Sequence, residues 1–109
     1  MPVQVEDSEI LKKFQDEKTR NEAFNLLLKK YQQKLYWHIR RMVIDHDDSD
    51  DIVQDTFVKI WKNLLGFRND AQLYTWMYRI ATNECITFLN KKKQKNNIPL
   101  DDVAYELAD

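Results

Sequence analysis

The chain has 109 residues, 43% of them hydrophobic and 12% aromatic, with a formal net charge of −1. That length suits one domain with one modest core, and a single glycine with two prolines argues against a turn-rich β architecture and for helices joined by few loops. A near-neutral balance does not fit a free-standing DNA-binding protein, and no apolar run approaches the roughly 20 residues that cross a bilayer.

In chain order, a short helix is expected near Ser8 to Gln15, with Ile10, Leu11 and Phe14 on one side. The stretch TRNE then offers a capping box, in which Thr19 accepts the Glu22 amide and Glu22 reaches back to the Thr19 amide. Phe24, Leu27, Leu28, Tyr31, Leu35, Ile39 and Met42 recur at spacings of three and four, one apolar stripe on a long helix ending near Val43. IDHDDSDD breaks that pattern, and Asp48 is expected to cap the next helix, with Asp51 three residues later. That helix carries Ile52, Val53, Thr56, Phe57, Ile60, Trp61 and Leu64, and Gly66 is placed to end it in the left-handed conformation. FRNDAQ, Phe67 to Gln72, has no helical period, and Asn69 or Asp70 can cap the last long helix. This helix carries Leu73, Trp76, Met77, Ile80, Ala81, Ile86, Phe88 and Leu89, and is expected to end in the lysine run and QKNN before Pro99. IPLDDVAYELAD reads as a small helix or a tail. The expected fold is all-α: a compact bundle of three main helices plus a short N-terminal helix.

Charge is segmented along the chain. Asp45, Asp47, Asp48, Asp50, Asp51 and Asp55 fall in one stretch without Lys or Arg. Arg68, Arg79, Lys91, Lys92, Lys93 and Lys95 then face only Asp70 and Glu84, and the last thirteen residues carry acids alone. Such segregation points to two different partners, one of them polyanionic. DHDDSDD superficially suggests a calcium loop, but Asp50 stands where glycine is needed and Thr56 where glutamate is needed. A solvated, capping acidic turn is the better reading. His38 and His46 lack a second ligand at a spacing useful for zinc. There is neither a P-loop nor a glycine-rich nucleotide fingerprint, and Cys85 falls among apolar helix positions, where core packing suits it better than nucleophilic chemistry. As the single cysteine, it excludes an internal disulfide framework and fits a reducing cytoplasm. MPVQVEDSEI lacks the basic start and apolar stretch of a signal peptide, so a cytoplasmic protein without membrane insertion is expected. No enzyme and no cofactor are read from these residues.

Phe67, Arg68, Asn69, Tyr74, Trp76, Arg79 and Asn83 lie within seventeen residues. Aromatic faces accept unstacked bases, Arg and Lys reach phosphates, and Asn reads a base edge. The residues alone leave a second reading open, with Trp76 in the core, Phe67 plugging the loop and the lysines solvated.

The segment DIVQDTFVKIWKNLLGFRNDAQLYTWMYRIATNECITFLNKKKQ resembles region 2 of bacterial RNA polymerase sigma factors, most of all the extracytoplasmic-function (ECF) group. The family pattern D-[LIV]-V-Q-[ED]-[TV]-F, a tryptophan in the same helix, F-[RD] in a loop and T-W-[LM]-Y-R-I-A-x-N is present in order. The resemblance covers roughly Phe24 to Lys95 and includes AFNLLLKKYQQKLYWHIRRMV as the family's first long helix. It implies that Asp51, Gln54 and Asp55, with Phe57 nearby, dock on the clamp coiled-coil of the largest subunit of core RNA polymerase. Asp51 and Asp55 are one helical turn apart and so share a face. It implies that the loop Phe67 to Gln72, with Arg68, Asn69 and Asp70, captures a flipped base of the promoter minus-ten element on the single-stranded non-template strand. Arg79 and Asn83 match positions at the duplex-to-single-strand junction. Lys91, Lys92, Lys93 and Lys95 would meet phosphates nonspecifically. The spacing of Trp76 from Met77 and Ile80 favours a core role over stacking. On this reading residues 1–95 form the region 2 helical domain of a transcription initiation factor that helps melt the promoter. Residues 96–109 begin an acidic interdomain linker, and a second promoter-binding domain is absent from this chain, which is expected to be a fragment. An anti-sigma factor is a further partner of the family's kind. The alternatives are a helical protein–protein adaptor without DNA contact, and a duplex-reading helix-turn-helix, for which these helices are too long.

Overall fold

The computed structural model describes residues 5–68 and 72–96, with side chains to residue 94. Four α-helices follow one another: α1 (Asp7–Gln15), α2 (Arg20–Met42), α3 (His46–Asn63) and α4 (Leu73–Asn96), with a 3₁₀ turn, Leu64–Gly66, after α3. α2 is the hub, packing against α1, α3 and α4, while α3 and α4 pack on each other.

The expected stripes form the core, with shifts at their edges. α2 buries Ala23, Leu27, Tyr31, Leu35 and Ile39, and α4 buries Leu73, Met77, Ala81, Cys85 and Leu89. A strict four-residue period advances about 40° per step around a helix of 3.6 residues per turn. The buried face therefore winds, and each long helix meets different partners at its two ends. Phe24 and Trp61 close the rim of the core: the Trp61 ring meets Phe14 edge-on at 5.2 Å and Phe24 at 5.1 Å. Ile86, expected in the stripe, lies outside it and is exposed.

The helix ends depart from the sequence expectations for identifiable reasons. Thr19 has φ −110° and ψ 6°, not the extended conformation of a capping residue. Its hydroxyl instead donates to the Lys13 carbonyl at 2.6 Å, and Glu22 pairs with Lys13 at 3.2 Å. The Thr19 hydroxyl and Arg20 Nε, which donates to the Phe14 carbonyl at 2.9 Å, thus satisfy open carbonyls at the end of α1, while Glu22 is held by the Lys13 ammonium rather than by the amides of α2. Asp45, not Asp48, caps α3: its extended backbone lets the carboxylate accept the Asp48 amide at 2.9 Å. Asp48 and Asp51 are thus inside the helix. The buried Ser49 hydroxyl ties the connection shut, donating to the carbonyls of Val43 and Asp45 at 3.0 and 2.7 Å. Gly66 does not take the left-handed conformation, and a Cβ there would meet nothing. A 3₁₀ turn placing Leu64 in the core ends the helix instead. IPLDDVAYELAD, the candidate caps Asn69 and Asp70, and the Lys95 side chain lie outside the described residues.

Two polar links brace the bundle. Asp7 accepts the Tyr31 hydroxyl at 2.7 Å and Lys30 Nζ at 2.7 Å, joining the start of α1 to the middle of α2. Burial and then the hydrogen bond to Asp7 push the Tyr31 phenol well above its usual range. Lys59 of α3 pairs with Glu84 of α4, whose side chain is only 13% exposed. No helix among the described residues is long and apolar enough to cross a membrane.

Candidate nucleic-acid interface

The end of α3, the 3₁₀ turn and the start of α4 enclose a cleft of about 520 Å³. Its walls are Phe67, Arg68, Trp76 and Arg79, with Asn63 and Thr75 at the edges. The Phe67 and Trp76 rings touch, with centroids 5.1 Å apart and planes tilted by 50°. They form one continuous aromatic wall rather than a slot for a ring. Both are half-buried, while Arg68 and Arg79 are exposed. Among the described residues no carboxylate lines the cleft, and Glu84, the acid within α4, is turned toward Lys59. An aromatic wall flanked by two guanidinium groups can stack an unpaired base and hold its phosphate.

Trp76 thus has both roles the sequence left open, one edge packed on the core and one open to the cleft. Asn63 and Thr75 were missed from sequence. Their signal was position alone: one ends the helix before the loop, and the other begins the helix after it. Gln72 is exposed and lines a separate depression with Lys34 and Tyr74; its carbonyl accepts the Trp76 amide at 3.1 Å. Tyr74 also stands apart, stacked on Tyr31 at 5.4 Å. Asn83 is exposed one turn beyond Arg79. The lysines do not act as one patch, because successive residues fan out by about 100°. Lys93 extends the outer face of Arg79, Asn83 and Asn90, which recur at spacings of four, seven and three. Lys92 turns to the opposite end of α3 and lines a depression with Asp45 and Asp48, where burial and then Asp45 push the Asp48 carboxyl above its usual value and the Lys92 charge partly opposes them.

The second candidate surface lies on α3. Asp51, Gln54 and Asp55 are exposed along it. Phe57 is 5% exposed and meets Phe24 edge-on at 6.2 Å, so it belongs to the core and supports the surface from beneath. Beside the two carboxylates runs an apolar groove between α2 and α3, about 440 Å³, lined by Phe24, Leu28, Val53, Phe57, Val58 and Trp61, with Gln54 and Gln32 at its edge. Val58 and Trp61 are exposed apolar side chains there.

The other titratable groups are inert or structural. Cys85 is fully buried, and burial pushes its thiol up to about 12, so it is not a nucleophile. His38 is buried, donor or acceptor to Thr82 Oγ1 at 2.8 Å and stacked on Tyr78 at 3.7 Å; burial and then Arg41 hold its pKa below the usual value. The His46 ring, Asp47 and Asp50 bring their possible ligand atoms within 4.8 Å of one another. All three are exposed, and the ring nitrogens face Tyr36 Oη and, at 3.3 Å, Asp50.

Comparison with known proteins bears directly on this geometry. The family described as Sigma-70 region 2 matches residues 27–95. The chain is 40% identical over 83 residues to the RNA polymerase sigma-H factor of Pseudomonas aeruginosa, covering 76% of this chain and 42% of that protein. It is 36% identical over 87 residues to the ECF RNA polymerase sigma-E factor of Haemophilus influenzae, covering 80% and 44%. The corresponding factor of Escherichia coli is 38% identical over 89 residues, covering 82% and 45%. The chain therefore spans less than half the length of these relatives. An NMR structure of an engineered region 2 of sigmaE in complex with GTAAAA superposes with a TM-score of 0.75 at 33% identity, covering 87% of this chain and 97% of the other. Matched through most of its length, from the second turn of α2 to the end of α4, the chain belongs to the Sigma-70 region 2 family and is a sigma region 2 domain of the ECF kind.

Proposed function

We propose that this domain serves transcription initiation by docking on core RNA polymerase through α3 and capturing unpaired non-template bases of a minus-ten element. The observation that carries the reading is the cleft in which Phe67 and Trp76 stand between Arg68 and Arg79. It sits in a fold shared with a relative bound to GTAAAA, a sequence whose T marks it as DNA. A base leaving the duplex gains stacking of about 1–3 kcal/mol on such a wall. The near-zero net charge fits a domain that adds selectivity while polymerase supplies most of the affinity. The exposed Asp51 and Asp55 suit a basic partner helix, and the apolar groove beside them supplies desolvated area. The domain is a binding module, with the chemistry of transcription left to the polymerase; an anti-sigma factor competing for the α3 surface is compatible with it.

The decisive measurement is titration of this domain with single-stranded GTAAAA and with the same sequence as duplex. The single strand is expected to bind tighter, and Trp76→Ala or Arg79→Gln to weaken it about fivefold or more. Equal affinity for both forms would favour a duplex reader. No binding to either, alone or with the domain held on polymerase, would favour the adaptor.

A further inference from the structure

A second basic and aromatic face lies around the bundle from the cleft, on α2. Lys34, Trp37 and Arg41 recur at spacings of three and four and share one outer side of the helix. Trp37 is 53% exposed, and Lys34 and Arg41 are exposed as well. Against them stand the tyrosines of α4. Lys34 Nζ lies 5.3 Å over the Tyr74 ring, and Tyr78, 41% exposed, is stacked on His38 beneath. From Lys34 to Met42 there is no acid. Among the described residues neither Lys34 nor Arg41 forms an ion pair, whereas Lys13, Lys30 and Lys59 each do. The face thus presents two exposed cations without counter-charges beside two exposed rings, Trp37 and Tyr78. They suit a polyanion that carries flat rings.

We infer that this α2–α4 face binds single-stranded DNA, extending the path of the strand beyond the cleft. Tyr78 and Arg79 are adjacent on α4, one turned to each surface, so the two sites are continuous around that helix. The inference rests on the reading of the cleft only for which strand arrives. The face itself reads no sequence: ring stacking and phosphate contacts tolerate any base. Its contribution is length-dependent affinity, absent for an oligonucleotide that only fills the cleft.

The test compares GTAAAA, the same hexamer extended by six thymidines at either end, and plain dT12, each titrated into this chain by fluorescence anisotropy. One of the extended oligonucleotides is expected to bind about fivefold or more tighter than the hexamer, the gain of stacking at least one base. Trp37→Ala and the double change Lys34→Gln, Arg41→Gln should remove that gain, leave the hexamer unchanged and abolish dT12 binding. Trp37→Phe and Lys34→Arg should restore most of it, and circular dichroism should report the same helix content throughout. If the hexamer binds and neither extension improves on it, or the variants leave the gain intact, the face is not a DNA site. If the variants weaken polymerase binding and no oligonucleotide, its partner is protein and the inference is overturned. Loss of dT12 binding in the variants while the hexamer never binds would uphold the face and sink the reading of the cleft. Failure of every oligonucleotide, with the chain free and with it held on core polymerase, sinks both.

Discussion

Two single side chains carry measurable consequences. Thr56 is fully buried on α3, and its hydroxyl has no hydrogen-bond partner among the described residues. An unpaired buried polar group costs about 1–3 kcal/mol, whereas an apolar group of the same shape does not. Thr56→Val is therefore expected to stabilise the domain by about 1 kcal/mol, raising Tm by roughly 4–8 °C in a domain of this size. A Tm that stays level or drops in thermal denaturation would show that the hydroxyl is satisfied. His38 gives a pH dependence. Thr82 Oγ1 donates to the Tyr78 carbonyl at 2.9 Å, which leaves it to accept from His38 Nε2–H; burial and then Arg41 favour the neutral ring with its proton on that nitrogen. The unfolded chain takes up its proton near pH 6.5, and the folded chain only lower, because burial and Arg41 oppose the charge. Between those values the unfolded state binds more protons, so stability is intact above about pH 6.5 and is lost as pH falls below it. The urea midpoint should drop between about pH 7.5 and 5.5 by more in the native chain than in His38→Gln. Parallel drops in both would remove His38 as the cause.

At the scale of the element, α3 serves two ends. Its start is fastened by the Asp45 cap and the buried Ser49 hydroxyl, and Asp45→Ala should cost about 1 kcal/mol of stability, seen as a lower denaturation midpoint. Farther along, Asp51 and Asp55 point to solvent and contribute little to folding. Reversing both to lysine should leave the midpoint nearly unchanged and weaken binding to core polymerase by tenfold or so, since like charge at an interface costs more than a lost surface pair. Affinity for core polymerase that survives the double reversal would remove α3 from the docking surface. The split arises because the helix shows its apolar stripe to α2 and α4 and its acids to water, with Asp51 six residues beyond the Asp45 cap.

For the whole molecule, the proposed function divides attraction from selection. Phe67 and Arg68, which open the loop between α3 and α4, line the cleft, so replacing Phe67 to Gln72 with the loop of another ECF factor should reorder the preference among promoters differing at single minus-ten positions. The lysines at the end of α4 divide by direction. Lys93 continues the outer face of Arg79 and Asn83, and Lys92 faces Asp45 and Asp48. Lys93→Gln should lower the log–log salt slope of single-strand binding by about 0.7, one phosphate contact, with no change in base preference. Lys92→Gln should leave that slope unaltered; equal slopes for all three proteins would mean that neither lysine touches DNA.

The sequence by itself determined the helix count, the approximate spans and the family, because four-residue apolar spacing and the D-x-x-Q-D to T-W-M-Y-R-I-A-x-N run are local patterns. It placed Asp51, Gln54 and Asp55 on one exposed face and Cys85 in the core for the same reason. It did not decide the caps: TRNE carries the letters of a capping box, but an open carbonyl of α1 competes for Thr19 and the Lys13 ammonium for Glu22, and those competitors appear only once α1 folds back on α2. Nor did it decide which way consecutive residues point. Phe57 belongs to the core because α2 brings Phe24 against it, and Lys92 parts from Lys93 because the end of α4 passes over the acidic start of α3. The cleft joins Asn63 to Arg79 across a loop, and the α2–α4 face joins Lys34 to Tyr74 across forty residues. Such pairings depend on how helices pack, and packing is set by the whole core rather than by any one stretch of chain.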